Sequence, residues 1–133
     1  MRLIRAYNAA GKSRFLFRRT CNISPIEYLE DGYVWATDWD MELYLPNLPQ
    51  DIAAIAIPMD AIRPGSGKNG YRCRVEEVTQ NRTSYTVTLS PVLSSDALPL
   101  KWTLHKKEWD AICAEVVSIH ITEKGTWQLR HKA

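Results

Sequence analysis

The chain has 133 residues, 45% apolar and 24% charged, the balance of a globular domain long enough to bury a core of its own. No apolar run approaches the ~20 residues of a bilayer-spanning helix, and the opening residues lack the apolar stretch of ~7–15 that marks a secretion signal, so a cytoplasmic location is expected. The net charge of +2 is unevenly spread: residues 1–19 hold six basic side chains and no acidic one, leaving the remainder at a net of −4.

That basic opening, residues 1–17, reads as a leading segment, a solvated arm or the scar of a domain boundary, with a surface for an acidic partner or nucleic acid as the alternative. Because the rest of the chain is net acidic, no nucleic-acid partner is expected. Strands are predicted at 14–18, 33–38, 41–45 and 53–57, with Pro58 ending the last of these because it cannot donate to a sheet ladder. Next come three clear period-2 runs. Tyr71, Cys73 and Val75 face one way and Arg72, Arg74 and Glu76 the other; residues 85–90 and 117–122 alternate in the same manner. Further strands are predicted at 100–104 and 126–129. Only residues 106–113 suit a helix, with Trp109, Ile112 and Cys113 on one face. Turn signals at Asp31-Gly32, Pro46–Pro49, Pro64–Gly67, Gln80–Arg82 and Lys124-Gly125 separate the runs. The expected fold is all-β: one or two small antiparallel barrels with one short helix, dividing about 18–63 and 64–133.

Side chains of catalytic type are scattered. His105, His120 and His131 share no ligand spacing with one another or with a cysteine, and His120 and His131 read as surface residues. Cys21, Cys73 and Cys113 form no CxxC pair and read as buried free thiols. Asp38 and Asp40 flank Trp39 on one polar strand face without a partner acid. No cofactor and no enzymatic activity are expected. Of the five tryptophans, Trp35 and Trp109 sit at periodic apolar positions and read as core.

The richest local chemistry lies at Ser66-Gly67-Lys68-Asn69. A hydroxyl, an amide, an ammonium group and glycine-freed backbone N–H groups are concentrated in four residues, which is what a compact oxyanion needs. It is not a nucleotide-binding P-loop. That motif requires a glycine where Ile62 stands and a Ser or Thr where Asn69 stands, and a helix rather than a strand would follow. Ser66, Lys68 and Asn69 are the candidate ligand-binding residues.

With these residues in view, the stretch from about 18 to 130 resembles the C-terminal regulatory part of ATP-binding subunits of molybdate/sulfate-type ABC importers, the TOBE or molybdate-binding-protein-like barrel. Thr20–Pro25 looks like that family's entry segment, Thr37-Asp38-Trp39 with Met41-Glu42-Leu43 like its first hairpin, and Ile55-Ala56-Ile57 like the strand leading to an Ile-Arg turn. Ser66-Gly67-Lys68-Asn69 with Tyr71 and Val75 falls in register with a Ser-x-Arg-Asn-x-Leu-x-x-x-Val pattern. Lys68 replaces the family's arginine, keeping charge but losing the planar fork, and Pro58 stands where the turn usually has arginine. The resemblance implies a non-enzymatic regulatory domain that dimerises beside an ABC ATPase domain. It implies molybdate, tungstate or sulfate as ligand, and contact with the membrane only through permease subunits. The alternatives are a ligand-free dimerisation or spacer domain, or an oligonucleotide-binding barrel using Arg72, Arg74 and the basic opening.

Overall fold

Residues alternating between wet and buried faces dominate the chain, and strands accordingly take up 53% of it against 8% helix, the all-β class that the periodicity predicts. The computed structural model describes residues 2–130, so the expected surface position of His131 lies outside the described residues. These described residues form twelve strands: β1 (Leu3–Tyr7), β2 (Ser13–Phe17), β3 (Cys21–Tyr28), β4 (Tyr33–Ala36), β5 (Met41–Tyr44), β6 (Ile52–Pro58), β7 (Arg63–Pro64), β8 (Gly70–Gln80), β9 (Ser84–Pro91), β10 (Leu100–His105), β11 (Val116–His120) and β12 (Trp127–Arg130). The helix α1 (Lys106–Ile112) lies between β10 and β11. All pairings are antiparallel, in two sheets ordered β2-β1-β12-β6-β3-β4-β5 and β10-β9-β8-β11-β7, and one is curled into a half-barrel.

The two sheets enclose one continuous core. Met41, Leu43 and Ile57 from the first, with Trp39 from the turn before β5, meet Val87, Leu89, Trp102 and Ile119 from the second in a single buried cluster. The stretches 18–63 and 64–133 therefore share their hydrophobic burial. Trp102 is the central piece. Its Nε1–H donates to the Ile62 carbonyl at 3.1 Å, and its ring meets Trp109 edge-on with centroids 6.4 Å apart, the geometry that ring quadrupoles favour.

The basic opening is an integral hairpin rather than a detached arm. Ala6 and Leu16 turn inward and, with Cys21 and Ala56, form a second buried cluster, against which Ile4, Trp127 and Leu129 pack. β1 joins β12 at Tyr7↔Gln128, and the Arg14 guanidinium lies 5.1 Å from the Trp127 ring centroid. At the tip the Asn8 side chain accepts from the N–H groups of Ala10 (3.0 Å) and Lys12 (2.9 Å), while Gly11 takes φ 82°, an Asx-type turn.

Two other local expectations give way. The strand predicted over 33–38 ends at Ala36 because residues 37–40 form a turn, with Asp40 at φ 50°. That turn carries Trp39 into the core, where it is 2% exposed. The predicted helix is present and its start is set by a capping box. His105 Nδ1 accepts from Lys107 N–H at 3.2 Å, and the Glu108 carboxylate accepts from His105 N–H at 3.3 Å. It ends one residue early, however. Cys113 is its C-cap and is exposed, not buried beside Trp109.

Candidate functional site

Residues 65–69 connect β7 to β8 across the outer end of β11. Gly65 adopts φ 99°, a left-handed conformation that a side chain would strain. Its N–H donates to Ser118 O at 2.9 Å, and its carbonyl lies 3.2 Å from His120 Nδ1. Gly67 rests on the His120 ring, and a Cβ at Gly70 would fall 2.6 Å from the Gly67 carbonyl oxygen. The chain doubles back so tightly there that only glycine fits. His120, half-buried, is thus the platform under the loop rather than a free surface histidine.

Asn69 fixes the loop to the first sheet. It sits at φ 60°, a region asparagine tolerates better than most residues. Its Oδ1 accepts from Tyr44 N–H at 2.7 Å and its Nδ2 donates to Tyr44 O at 3.0 Å. The Asn69 carbonyl in turn accepts from Ile121 N–H at 3.1 Å.

Of the candidate trio, Lys68 and Asn69 are brought to one groove and Ser66 stands outside it. The groove holds about 320 Å³ and is lined by Tyr33, Glu42, Tyr44 and Tyr71 together with residues 67–70. The Lys68 Nζ sits 3.8 Å from the Tyr44 ring centroid, and Tyr44 packs at 5.0 Å on Tyr33. Among the described residues no carboxylate forms an ion pair with Lys68; the one such pair is Arg74–Glu76 at 3.8 Å. The Glu42 carboxylate shares the groove and opposes an anion there. The Tyr71 hydroxyl donates to the Glu42 carbonyl. Burial raises its pKa above the ordinary 10.0, the hydrogen bond lowers it, and the charges of Glu42 and Asp40 raise it further, so Tyr71 is a neutral donor at physiological pH.

The backbone N–H groups of residues 66–69 donate to no protein acceptor among the described residues. The arrangement therefore offers one cation and a run of open amides on a braced loop, with Ser66 beside the groove rather than in it. Such a set can hold a small anion. It provides no nucleophile–base pair, and among the described residues no group of three metal-ligating side chains is present. No described helix is long and apolar enough to cross a membrane.

A second feature escaped the sequence. Asn22 in β3 is buried, its Oδ1 accepting from Lys101 N–H at 2.7 Å and its Nδ2 donating to Lys101 O at 2.8 Å and Ile57 O at 3.3 Å. It clasps β10 as Asn69 clasps β5. A polar residue alternating with apolar ones was the only signal available.

No protein-family model matches the chain, and no curated protein matches it.

Proposed function

We propose that this chain is an accessory, regulatory domain of the ATP-binding component of an oxyanion importer, with the loop 66–69 as its anion-holding element. The observation that carries the reading is Lys68, a cation that has no ion-pair partner among the described residues, on a loop whose amides are open. The likeness of Ser66-Gly67-Lys68-Asn69 to the importer family's pattern supplies the ligand class: molybdate, tungstate or sulfate. Asn69 would act mainly by holding the loop in shape, because its amide is engaged with Tyr44. Direct contacts would fall to Lys68, Ser66 and backbone N–H groups, each charge-assisted bond being worth roughly 1.5–3 kcal/mol. A second copy, packed two-fold against the first beside an ABC ATPase domain, would complete the anion's shell. Binding to one dimer arrangement in preference to another would then bias transport. The chain itself would hydrolyse no ATP, and contact with the membrane would be through permease subunits.

A specific observation favours a second reading, a ligand-free dimerisation or spacer domain: Glu42 lines the same groove as Lys68. Calorimetry with molybdate, tungstate and sulfate separates the two. The oxyanion reading expects heat with the wild type, little with Lys68→Ala, and tighter binding with Glu42→Gln, which removes the opposing charge. No heat from any of the three anions at about millimolar concentration, with the fold intact, overturns it and leaves the spacer.

A further inference from the structure

The first sheet ends at β2, which pairs on one side with β1 and, among the described residues, has no strand on the other. The register runs from Leu3↔Phe17 to Tyr7↔Ser13. At its two ends Asn8 N–H donates to Lys12 O and Arg18 N–H donates to Arg2 O. Antiparallel ladders alternate, so the even-numbered residues of β2 exchange hydrogen bonds with β1 and the odd ones turn their backbone groups outward. Ser13, Phe15 and Phe17 therefore present N–H and C=O groups at strand spacing along an open edge. Among the described residues only the Phe17 carbonyl is engaged, accepting from the Thr20 hydroxyl at 3.1 Å.

That edge borders a groove of about 370 Å³ whose far wall is Pro58, Met59, Asp60 and Thr103. The face beside it is apolar for a surface. Leu3, Phe15 and Phe17 are 53%, 56% and 46% exposed, and Leu3 lies directly across from Phe17. Around them stand Arg2, Arg5, Arg14, Arg18 and Arg19, none in an ion pair among the described residues.

We propose that β2 is a strand-addition site for an extended segment of a partner protein that alternates Asp or Glu with apolar residues. The free ladder groups give a backbone its hydrogen bonds, the apolar face takes one set of side chains, and the arginines select the sign of the other. A second copy of this chain is disfavoured, because antiparallel pairing about Phe15 would set Arg18 of each copy opposite Lys12 of the other and bring the two Arg14 side chains together as diagonal neighbours. Single-stranded nucleic acid is disfavoured too. Guanidinium groups already lie on the rings of Phe15 (Arg5, 5.0 Å) and Trp127 (Arg14, 5.1 Å) where bases would stack, and a phosphodiester chain cannot complete a peptide ladder. Asp60 is the one acid lining the groove among the described residues, so the added strand's carboxylates belong on the arginine side. The proposal is independent of the anion loop and stands or falls apart from it.

The experiment uses the full chain and amide-resolved hydrogen exchange. The probe is a capped peptide of about eight residues alternating Glu and Val. The controls are the same peptide with Lys for Glu, a thymidine oligonucleotide, and a concentration series of the protein alone. The acidic peptide is expected to slow exchange at Ser13, Phe15 and Phe17. Arg14→Glu is expected to weaken it about tenfold. Phe15→Pro deletes only an outward N–H, which an edge strand tolerates, and is expected to abolish binding, whereas Phe15→Ala retains part of it. Should Phe15→Pro fail to fold, the Phe15→Ala exchange pattern and the two peptides still decide. Equal binding of the lysine peptide, tighter binding of the oligonucleotide, protection of the same amides by self-association, or no protection at about millimolar peptide each overturns the proposal.

Discussion

The side-chain amide of Asn69 grips the backbone of Tyr44 at both of its polar groups, accepting at 2.7 Å and donating at 3.0 Å. In this it imitates a neighbouring strand. Because β5 is the last strand of the first sheet, the amide closes part of an edge that would otherwise be open, and it joins that edge to the segment leading into the second sheet.

Replacing Asn69 by Ala removes both bonds and places a residue with a Cβ at φ 60°. Expected destabilisation is about 2–3 kcal/mol, combining two net hydrogen bonds with the left-handed backbone penalty. Asn69→Gly, free of the backbone penalty, should lose about 1–2 kcal/mol. Urea unfolding of the three proteins checks the order. Equal stability of wild type and Asn69→Ala would show the clasp to be idle.

Trp102 fills the centre of the core at 1% exposure. Trp102→Ala should cost about 3–5 kcal/mol. Trp102→Phe keeps much of the volume but strands the Ile62 carbonyl that accepts from Nε1–H at 3.1 Å, and about 1–3 kcal/mol is expected. Near-ultraviolet circular dichroism should lose the coupling between Trp102 and Trp109 in both variants.

Thiol reactivity should rank by burial. Cys113 is exposed, and Cys21 and Cys73 are buried. Burial raises the Cys21 pKa, opposed by the hydrogen bond with Thr20 and the charge of Arg14, while Asp60 adds to the rise. Burial alone pushes Cys73 from 9.0 up to about 11. A thiol reagent at about pH 8 should modify Cys113 quickly in the native chain and the other two only on unfolding.

The same burial sets an alkaline limit. Cys73 ionises at 9.0 when exposed and at about 11 when folded, so its contribution is intact below 9.0 and is lost as the pH climbs toward 11. The loss is roughly 2–3 kcal/mol. Tyr28 and Tyr71, raised from 10.0 mainly by burial, act in the same direction at higher pH. Denaturation midpoints should be level up to about pH 9 and fall beyond it. A Cys73→Ala variant, though less stable throughout, should fall less steeply.

Residues that bury one face and wet the other were legible from the sequence. The runs at 71–76, 85–90 and 117–122 became β8, β9 and the β11 region because their inward residues are apolar. β1 was not legible. Leu3, Arg5 and Tyr7 on one face and Ile4 and Ala6 on the other give no clean alternation, since this hairpin is partly apolar on both sides. β3 was hidden more deeply. Its buried positions include Asn22 and Ser24, polar residues satisfied by Lys101 and by Asp38 N–H at 3.0 Å. Such pairing depends on partners 79 and 14 positions away, so periodicity cannot reveal it. At the loop, the donor-rich composition of 66–69 was visible. The engagement of the Asn69 amide with a strand 25 positions upstream was not.

The clasp at Asn69 also has a chemical lifetime. Asn69 is followed by Gly70, the neighbour least able to shield an asparagine from attack by the next backbone nitrogen, and asparagine is among the thermolabile residues. While the amide is held at both ends by Tyr44, its carbon cannot swing onto the Gly70 nitrogen, and the ring closure that leads to deamidation is held back. Once the loop lets go, the amide becomes a carboxylate. It can no longer donate to the Tyr44 carbonyl, it repels that oxygen, and it sets a second negative charge beside Glu42. Slow ageing at this one position would thus record, molecule by molecule, how often the corner between the sheets has come open.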